Sequence, residues 1–133
     1  TYGDGLADIN ILKLIKYHKE NNKLATLSAV KPPGRFGALK LHENLVINFQ
    51  EKQDGDNSWI SGGFFVLETN VLKMIKGDQS SWENDILPEL SKTNQLSAYR
   101  HKGFWQPMDT LRDKNKLEEL WKNQSAPWKR WEN

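Results

Sequence analysis

The sequence predicts an α/β domain. Three observations lead there: stretches with helical apolar spacing alternate along the chain with short apolar runs of strand length, glycine- and proline-rich turns separate them, and no internal repeat or low-complexity linker interrupts the alternation. The chain has 133 residues, 37% hydrophobic and 27% charged, which fits one folded domain rather than a disordered segment.

Thr1 to Gly5 reads as the end of a strand entering a glycine-rich turn. Asp8 is placed to cap a helix over about Ile9 to Glu20, whose Ile11, Leu14, Ile15 and His18 recur at i, i+3, i+4 and i+7, and Asn21-Asn22 can end it. Leu24 to Val30 is an apolar run of strand length, expected to be buried on both faces. Lys31-Pro32-Pro33-Gly34-Arg35 is a loop, and Phe36 to Leu41 with Leu45 to Phe49 forms a hairpin. Trp59 to Leu67 is a strand carrying Gly62-Gly63, a bare stretch of backbone suited to the close approach of a ligand or another chain. Asn70 to Ile75 and Trp82 to Lys92 are helical, with Pro88 either kinking the second or opening a new first turn. Gln95 to His101 is a strand, Gly103 to Met108 is extended, and Thr110 caps a last helix through Trp121. On that helix Leu111, Leu117, Leu120 and Trp121 are apolar, while Arg112, Lys114, Lys116, Glu118 and Glu119 face water.

Composition excludes several classes of function. There is no cysteine, hence no disulfide or thiolate metal site, which agrees with a cytoplasmic location. No apolar run approaches the ~18 residues that span a bilayer, so no membrane partner is expected. A formal charge of +2 with both signs scattered is unlike a nucleic-acid binder. Only the tail Ala126-Pro127-Trp128-Lys129-Arg130-Trp131 interleaves rings with cations. It can stack on bases, but large aromatics more commonly pack against protein.

Three segments carry candidate chemistry. In Tyr2-Gly3-Asp4-Gly5 an aspartate between glycines at a strand end suits a hard cation; equally, Asp-Gly is a turn pair. In Phe49-Gln50-Glu51-Lys52 an acid and a base at a strand end can read sugar hydroxyls and a phosphate, or form a solvated pair. In Trp105-Gln106-Pro107-Met108-Asp109-Thr110, Asp109 stands before a helix start, as ligand or as cap. The three histidines fit no Ser/His/Asp order and no His-x-x-x-His spacing, so a histidine base is not expected.

Taken together and in order, Thr-Tyr-Gly-Asp-Gly, Pro-Pro-Gly-Arg-Phe-Gly-Ala-Leu, Phe-Gln-Glu-Lys, Gly-Gly-Phe-Phe-Val-Leu, Gly-Phe-Trp-Gln-Pro-Met-Asp-Thr-Leu-Arg-Asp and Ala-Pro-Trp-Lys resemble the glucose-1-phosphate cytidylyltransferases, within the sugar nucleotidyltransferases. The resemblance implies the C-terminal part of a Rossmann-like α/β/α fold with a mixed sheet, residues 1–133 forming the sugar-phosphate- and metal-binding part and the nucleotide-binding N-terminal half lying outside the sequence. It implies a homo-oligomer that joins CTP and glucose 1-phosphate into CDP-glucose and pyrophosphate with Mg²⁺, for surface-polysaccharide synthesis. Asp4 and Asp109 match the metal aspartates, Lys52 the lysine on the sugar phosphate and Glu51 the glutamate on glucose hydroxyls. Gly37, Gly62 and Gly63 match positions of close sugar approach, and Tyr2 and Gly3 flank nucleotide and metal. Gln53 replaces the family's proline after Glu-Lys, and Ser61 replaces an asparagine, with fewer donors. No glycine-rich nucleotide loop is present, so the chain alone is expected to be inactive. Other sugar-1-phosphate nucleotidyltransferases, or a non-catalytic sugar-phosphate-binding or oligomerisation module, are the alternative readings.

Overall fold

The computed structural model describes residues 1–32, 38–42, 45–50 and 59–131. Its elements run β1 (Gly5–Ala7), α1 (Ile11–Asn21), β2 (Ala25–Val30), β3 (Ala38–His42), β4 (Leu45–Gln50), β5 (Ile60–Leu67), a 3₁₀ turn (Thr69–Met74), a π-turn (Trp82–Ile86), α2 (Leu87–Lys92), β6 (Leu96–Arg100), β7 (Trp105–Pro107) and α3 (Leu111–Lys122). The expected α/β alternation is present throughout the described residues.

The centre is a three-stranded mixed sheet in the order β5-β2-β6. β2 runs antiparallel to β5 and parallel to β6. As the middle strand, β2 is buried over nearly its whole length, which explains why it reads as a continuous apolar run rather than an alternating one. Its two faces carry different chemistry. Ala25 packs with Val71, Ile86 and Leu90, and Leu24, Met74, Trp82 and Leu96 close around that cluster. On the opposite face Thr26 and Ser28 are wholly buried and polar. His18 of α1 places Nδ1 2.8 Å from Thr26 Oγ1 and Nε2 3.1 Å from a Glu68 carboxylate oxygen. Thr26 Oγ1 in turn lies 2.6 Å from Ser97 Oγ. The helix α1 therefore lies on one face of the sheet and the 3₁₀, π and α2 segments on the other, an α/β/α layering. His18, the buried member of the expected apolar stripe, is structural: each ring nitrogen has a polar partner, as burial requires.

Local signals set most boundaries. Thr110 and Asp113 form a complete capping box at α3, two donors satisfied reciprocally. Asn22 closes α1 in the left-handed conformation, which asparagine tolerates. Pro88 settles its two readings by opening α2, where a missing N–H costs no helical bond. The turn before it is a π-turn capped by Ser81, whose side chain accepts from Asn84 N–H. The segment at 69–74 is 3₁₀ rather than α-helical. The hairpin β3–β4 is antiparallel, Ala38 opposite Gln50.

Two expectations are corrected. Asn10, not Asp8, caps α1: its side chain accepts from Lys13 N–H at 2.9 Å. Asp8 cannot serve, because its own N–H donates to the Phe104 carbonyl at 3.1 Å and keeps it in the extended segment continuing β1. On α3, Leu117 is buried, but Leu111 and Trp121 are 72% and 50% exposed. The helix is held instead at its start, through the network around Gln106 described below.

Because Leu90 is fully buried in the cluster over β2, Leu90→Ala is expected to cost roughly 2–5 kcal/mol of stability, from lost transfer energy plus the residual cavity. Urea denaturation of the two chains measures it.

Candidate functional site

The site is organised by a bulge in β5. Leu27 pairs with Phe65 and Ala29 with Ser61, so Ser28 alone faces Gly62, Gly63 and Phe64. Ser28 Oγ accepts from Phe64 N–H at 3.2 Å and fills part of the gap. Gly63 has φ +77°, and a Cβ on it would stand 2.6 Å from the Tyr2 ring; one on Gly62 would stand 2.7 Å from Ser28 Oγ and from Val30 Cγ1. Both positions therefore need glycine because of this chain's own packing. Within the chain, the Tyr2 ring approaches Gly63, and Ser28 and Val30 approach Gly62.

The bulge turns two carbonyls outward, and each is taken. Gly63 O accepts from Tyr2 N–H at 2.9 Å, and Gly62 O accepts from Trp105 Nε1–H at 2.9 Å. Tyr2 precedes β1 and Trp105 opens β7, the two strands of a second sheet, paired antiparallel with Gly5 opposite Pro107. That pairing brings the two candidate aspartates together. The Asp4 carbonyl accepts from Met108 N–H at 2.8 Å, so the Asp4 backbone lies across the ladder from Met108, the residue before Asp109. Asp4 stands in the bend before β1 rather than at the carboxyl end of a strand, because the bond from Tyr2 to β5 and the ladder of β1 with β7 leave Gly3 and Asp4 to make the turn. Both aspartates are exposed.

Asp109 is positioned by what surrounds it. Gln106, 2% exposed, donates to Asp113 Oδ1 at 3.0 Å and accepts from Lys116 Nζ at 2.8 Å. Asp113 Oδ2 accepts from Thr110 N–H and Oγ1–H at 3.1 and 2.8 Å. The turn carrying Asp109 is thus clamped between a buried side chain before it and a capping box after it. Thr110 holds the cap, which separates capping from the ligand reading of Asp109.

Tyr2 is anchored from the other side. Its hydroxyl donates to a Glu83 carboxylate oxygen, and its ring meets Phe65 edge-on at 5.5 Å, which in turn meets Trp82 at 5.4 Å. Burial, then the Glu83 hydrogen bond, then the negative charges of Glu83 and Asp4 push the Tyr2 hydroxyl up to about 12. The sequence offered no signal for Glu83, which is 81 positions from Tyr2. Gly37, Glu51 and Lys52 lie outside the described residues, as does Gln53. Ser61, at the start of the bulge, accepts weakly from Gly63 N–H at 3.4 Å.

The C-terminal tail packs on its own domain. Trp128 stacks near Phe104 with centroids 5.5 Å apart, Trp131 near Trp121 at 6.5 Å, and Arg130 Nη2 lies 3.0 Å from Asp8 Oδ2. His101 Nε2 sits 3.0 Å from Asp8 Oδ1. That nitrogen makes its hydrogen bond to the Phe104 carbonyl at 3.1 Å, so the Asp8 contact is one of charge and proximity rather than of alignment.

As to the fit of a metal, the described residues contain no group of three or more His, Asp or Glu side chains. Two exposed carboxylates on backbone segments that the β1–β7 ladder brings close would offer hard oxygen donors. That set suits Mg²⁺, which keeps water and phosphate oxygens in its shell and seldom takes an all-protein cage.

Two predictions follow from this geometry. Gly63→Ala is expected to destabilise the chain by about 1–3 kcal/mol, through left-handed strain and collision with the Tyr2 ring, read by thermal denaturation. Ultraviolet titration should resolve one tyrosine ionising near 12 and shift it down in Glu83→Gln. Since the fold favours the neutral phenol, the stability it adds is complete below the ordinary tyrosine value near 10 and is lost as pH rises toward 12.

No protein-family model matches the chain. It is 53% identical over 132 residues to the glucose-1-phosphate cytidylyltransferase of Salmonella typhimurium, covering 99% of this chain and 51% of that enzyme. Its identity to the Bacillus subtilis protein designated a glucose-1-phosphate cytidylyltransferase is 36%, over 98% of this chain and 52% of the relative. A glucose-1-phosphate adenylyltransferase of Thermosipho africanus is 30% identical over 82% of the chain and 30% of its own length. Among solved structures, a Bacillus anthracis protein designated a glucose-1-phosphate thymidylyltransferase superposes with TM-score 0.64 at 17% identity, over 98% of this chain and 55% of the other. HddC of Yersinia pseudotuberculosis does so with TM-score 0.62 at 22% identity, over 90% and 52%. At these identities the superpositions bear on the fold alone. The chain spans about half the length of the curated cytidylyltransferases it matches. Along essentially its whole length it is therefore homologous to about half of a glucose-1-phosphate cytidylyltransferase, on the mixed α/β fold of the nucleotidyltransferases.

Proposed function

We propose that this chain is the sugar-phosphate- and metal-binding part of a glucose-1-phosphate cytidylyltransferase, which converts CTP and glucose 1-phosphate into CDP-glucose and pyrophosphate. The observation that carries the reading is the 53% identity across 132 residues. The juxtaposition of Asp4 and Asp109 by the β1–β7 ladder supports it.

In this reaction a phosphate oxygen of the sugar phosphate bonds to the α-phosphorus of CTP, and the bond from that phosphorus to the bridging oxygen breaks to release pyrophosphate. The step needs alignment and neutralised charge more than a proton-transfer base, which agrees with the engagement of His18 and His101 by partners within the fold. Asp4 and Asp109 would hold Mg²⁺, which would supply charge neutralisation at the phosphates. Lys52, by its match, balances the sugar phosphate, and Glu51 accepts from glucose hydroxyls. Tyr2 and Gln106 act as positioning residues: one fixes the chain entering Asp4, the other the turn bearing Asp109. Gly3 leaves the approach to Asp4 open, since no atom lies within 4 Å of where its Cβ would stand.

The proposal extends to a homo-oligomer in the cytoplasm feeding surface-polysaccharide synthesis. Relatives named for adenylyl and guanylyl transfer share the likeness, so the choice of base is the point to test.

Joined to the complementary half of the Salmonella relative, the chain should release pyrophosphate from glucose 1-phosphate and Mg²⁺ with CTP, and not with UTP, dTTP or ATP. In that hybrid Asp109→Asn should lower turnover by roughly a hundredfold or more, as expected when charge stabilisation in the transition state is lost. Turnover within a few-fold of the parent would sink the metal assignment, and release with another nucleotide alone would overturn the cytidylyl reading.

A further inference from the structure

A second cavity, of about 360 Å³, opens beyond the ends of the central sheet and is lined by Lys31, Trp59, His101, Lys102 and Gly103. Its volume falls within the range of small-molecule sites. Its position follows from the sheet. β2 and β6 are parallel, with Ala29 opposite Arg100, so both strands deliver their carboxyl ends to one edge. Lys31 follows the last residue of β2, and His101 and Lys102 follow the last residue of β6. Trp59 enters at the same edge, because Ile60 pairs with Val30. Ligands of open α/β sheets bind outside the carboxyl ends of such strands.

Among the described residues that line the cavity, those with a formal charge, Lys31 and Lys102, are cationic. The Lys31 ammonium and the Arg100 guanidinium each lie 5.7 Å from the centroid of the Trp59 ring. Cations held against an indole face keep part of their solvation cost offset and lose rotamer freedom before any ligand arrives. Lys102 adds a third charge from the exposed turn after β6. No acidic residue is among the described residues that line the cavity. Asp8, the carboxylate beside His101, is engaged by Arg130. None of these residues is matched to the sugar-phosphate or metal positions discussed above.

We infer that this cavity binds a phosphate-bearing anion, with Lys31 and Lys102 of its lining around the phosphate groups, Trp59 as the wall behind them and Arg100, against the Trp59 ring, at its margin. The Arg100 fork can engage two phosphate oxygens at once, and the lysines act as point charges. Free polyphosphates and nucleoside phosphates share that chemistry. The inference rests on this lining and is independent of the reaction proposed for the chain.

The test is calorimetric titration of the chain in chelator, without divalent metal, using inorganic pyrophosphate, CTP and sulfate as separate probes. Pyrophosphate and CTP should bind and sulfate should bind more weakly, with affinity falling as salt rises. Affinity equal for pyrophosphate and CTP assigns the site to free polyphosphates; tighter CTP binding that Trp59→Ala removes assigns it to nucleotides. Arg100→Gln with Lys102→Gln, both at exposed positions, should weaken binding by at least roughly tenfold, and Lys102→Glu alone should weaken it in the same direction. Asp4→Asn with Asp109→Asn should leave it unchanged. No binding by the parent chain overturns the inference. So does binding indifferent to the Arg100 and Lys102 changes, or binding that the paired aspartate changes abolish.

Discussion

Everything at the candidate site depends on the bulge that Gly62 and Gly63 put into β5. In a regular strand successive carbonyls point to opposite edges, so only one of these two could face away from β2. With Ser28 alone facing three residues, the carbonyls turn outward and become the acceptors for Tyr2 N–H and the Trp105 indole. Those two bonds tie the β1–β7 pair to the central sheet. Side chains larger than hydrogen at either glycine would strike Val30, Ser28 or the Tyr2 ring. The constraint is therefore local and steric, while what it positions lies in sequence about as far apart as the chain allows.

A second layer of support is polar, with Gln106 buried and the other groups nearer the surface. Gln106 and the Thr110–Asp113 capping box hold one aspartate's turn, and the Tyr2–Glu83 bond with the Phe65–Trp82 ring contacts holds the segment entering the other. Within the core, His18, Thr26, Ser97 and Glu68 form a thread between α1 and the sheet. In both places a polar group removed from water has a named partner, which is the condition for such groups to specify one arrangement rather than to loosen the core.

Much of this was legible in the sequence where the signal is local. The continuous apolar run of β2, the turn at Asn22, the cap at Thr110 and the Gly62-Gly63 break each depend on a few adjacent residues. The readings that failed depended on distant partners. Asp8 has a capping side chain, but its backbone is claimed by Phe104, about a hundred residues along the chain. Leu111 and Trp121 continue an apolar pattern, yet the start of α3 is secured by hydrogen bonds to Gln106. The aspartates were selected by family likeness rather than by periodicity, because an isolated Asp-Gly or Asp-Thr reads equally as a turn or a cap. Glu83 could not have been found from spacing at all, since only the fold sets it beside Tyr2.

The pairing of β1 with β7 also bears on the order of folding. Gly5 and Pro107 are neighbours only after the chain has closed a loop of about a hundred residues, whereas the β3–β4 hairpin and the helices close over a few. Loop closure of that span costs entropy before it returns any contact. The strand pair that both aspartates adjoin should therefore form late, onto a central sheet already in place. During synthesis and refolding the chain would then pass through a state whose core is built while its two acidic ligand candidates are still apart, so that capacity for metal would be the last property to arrive.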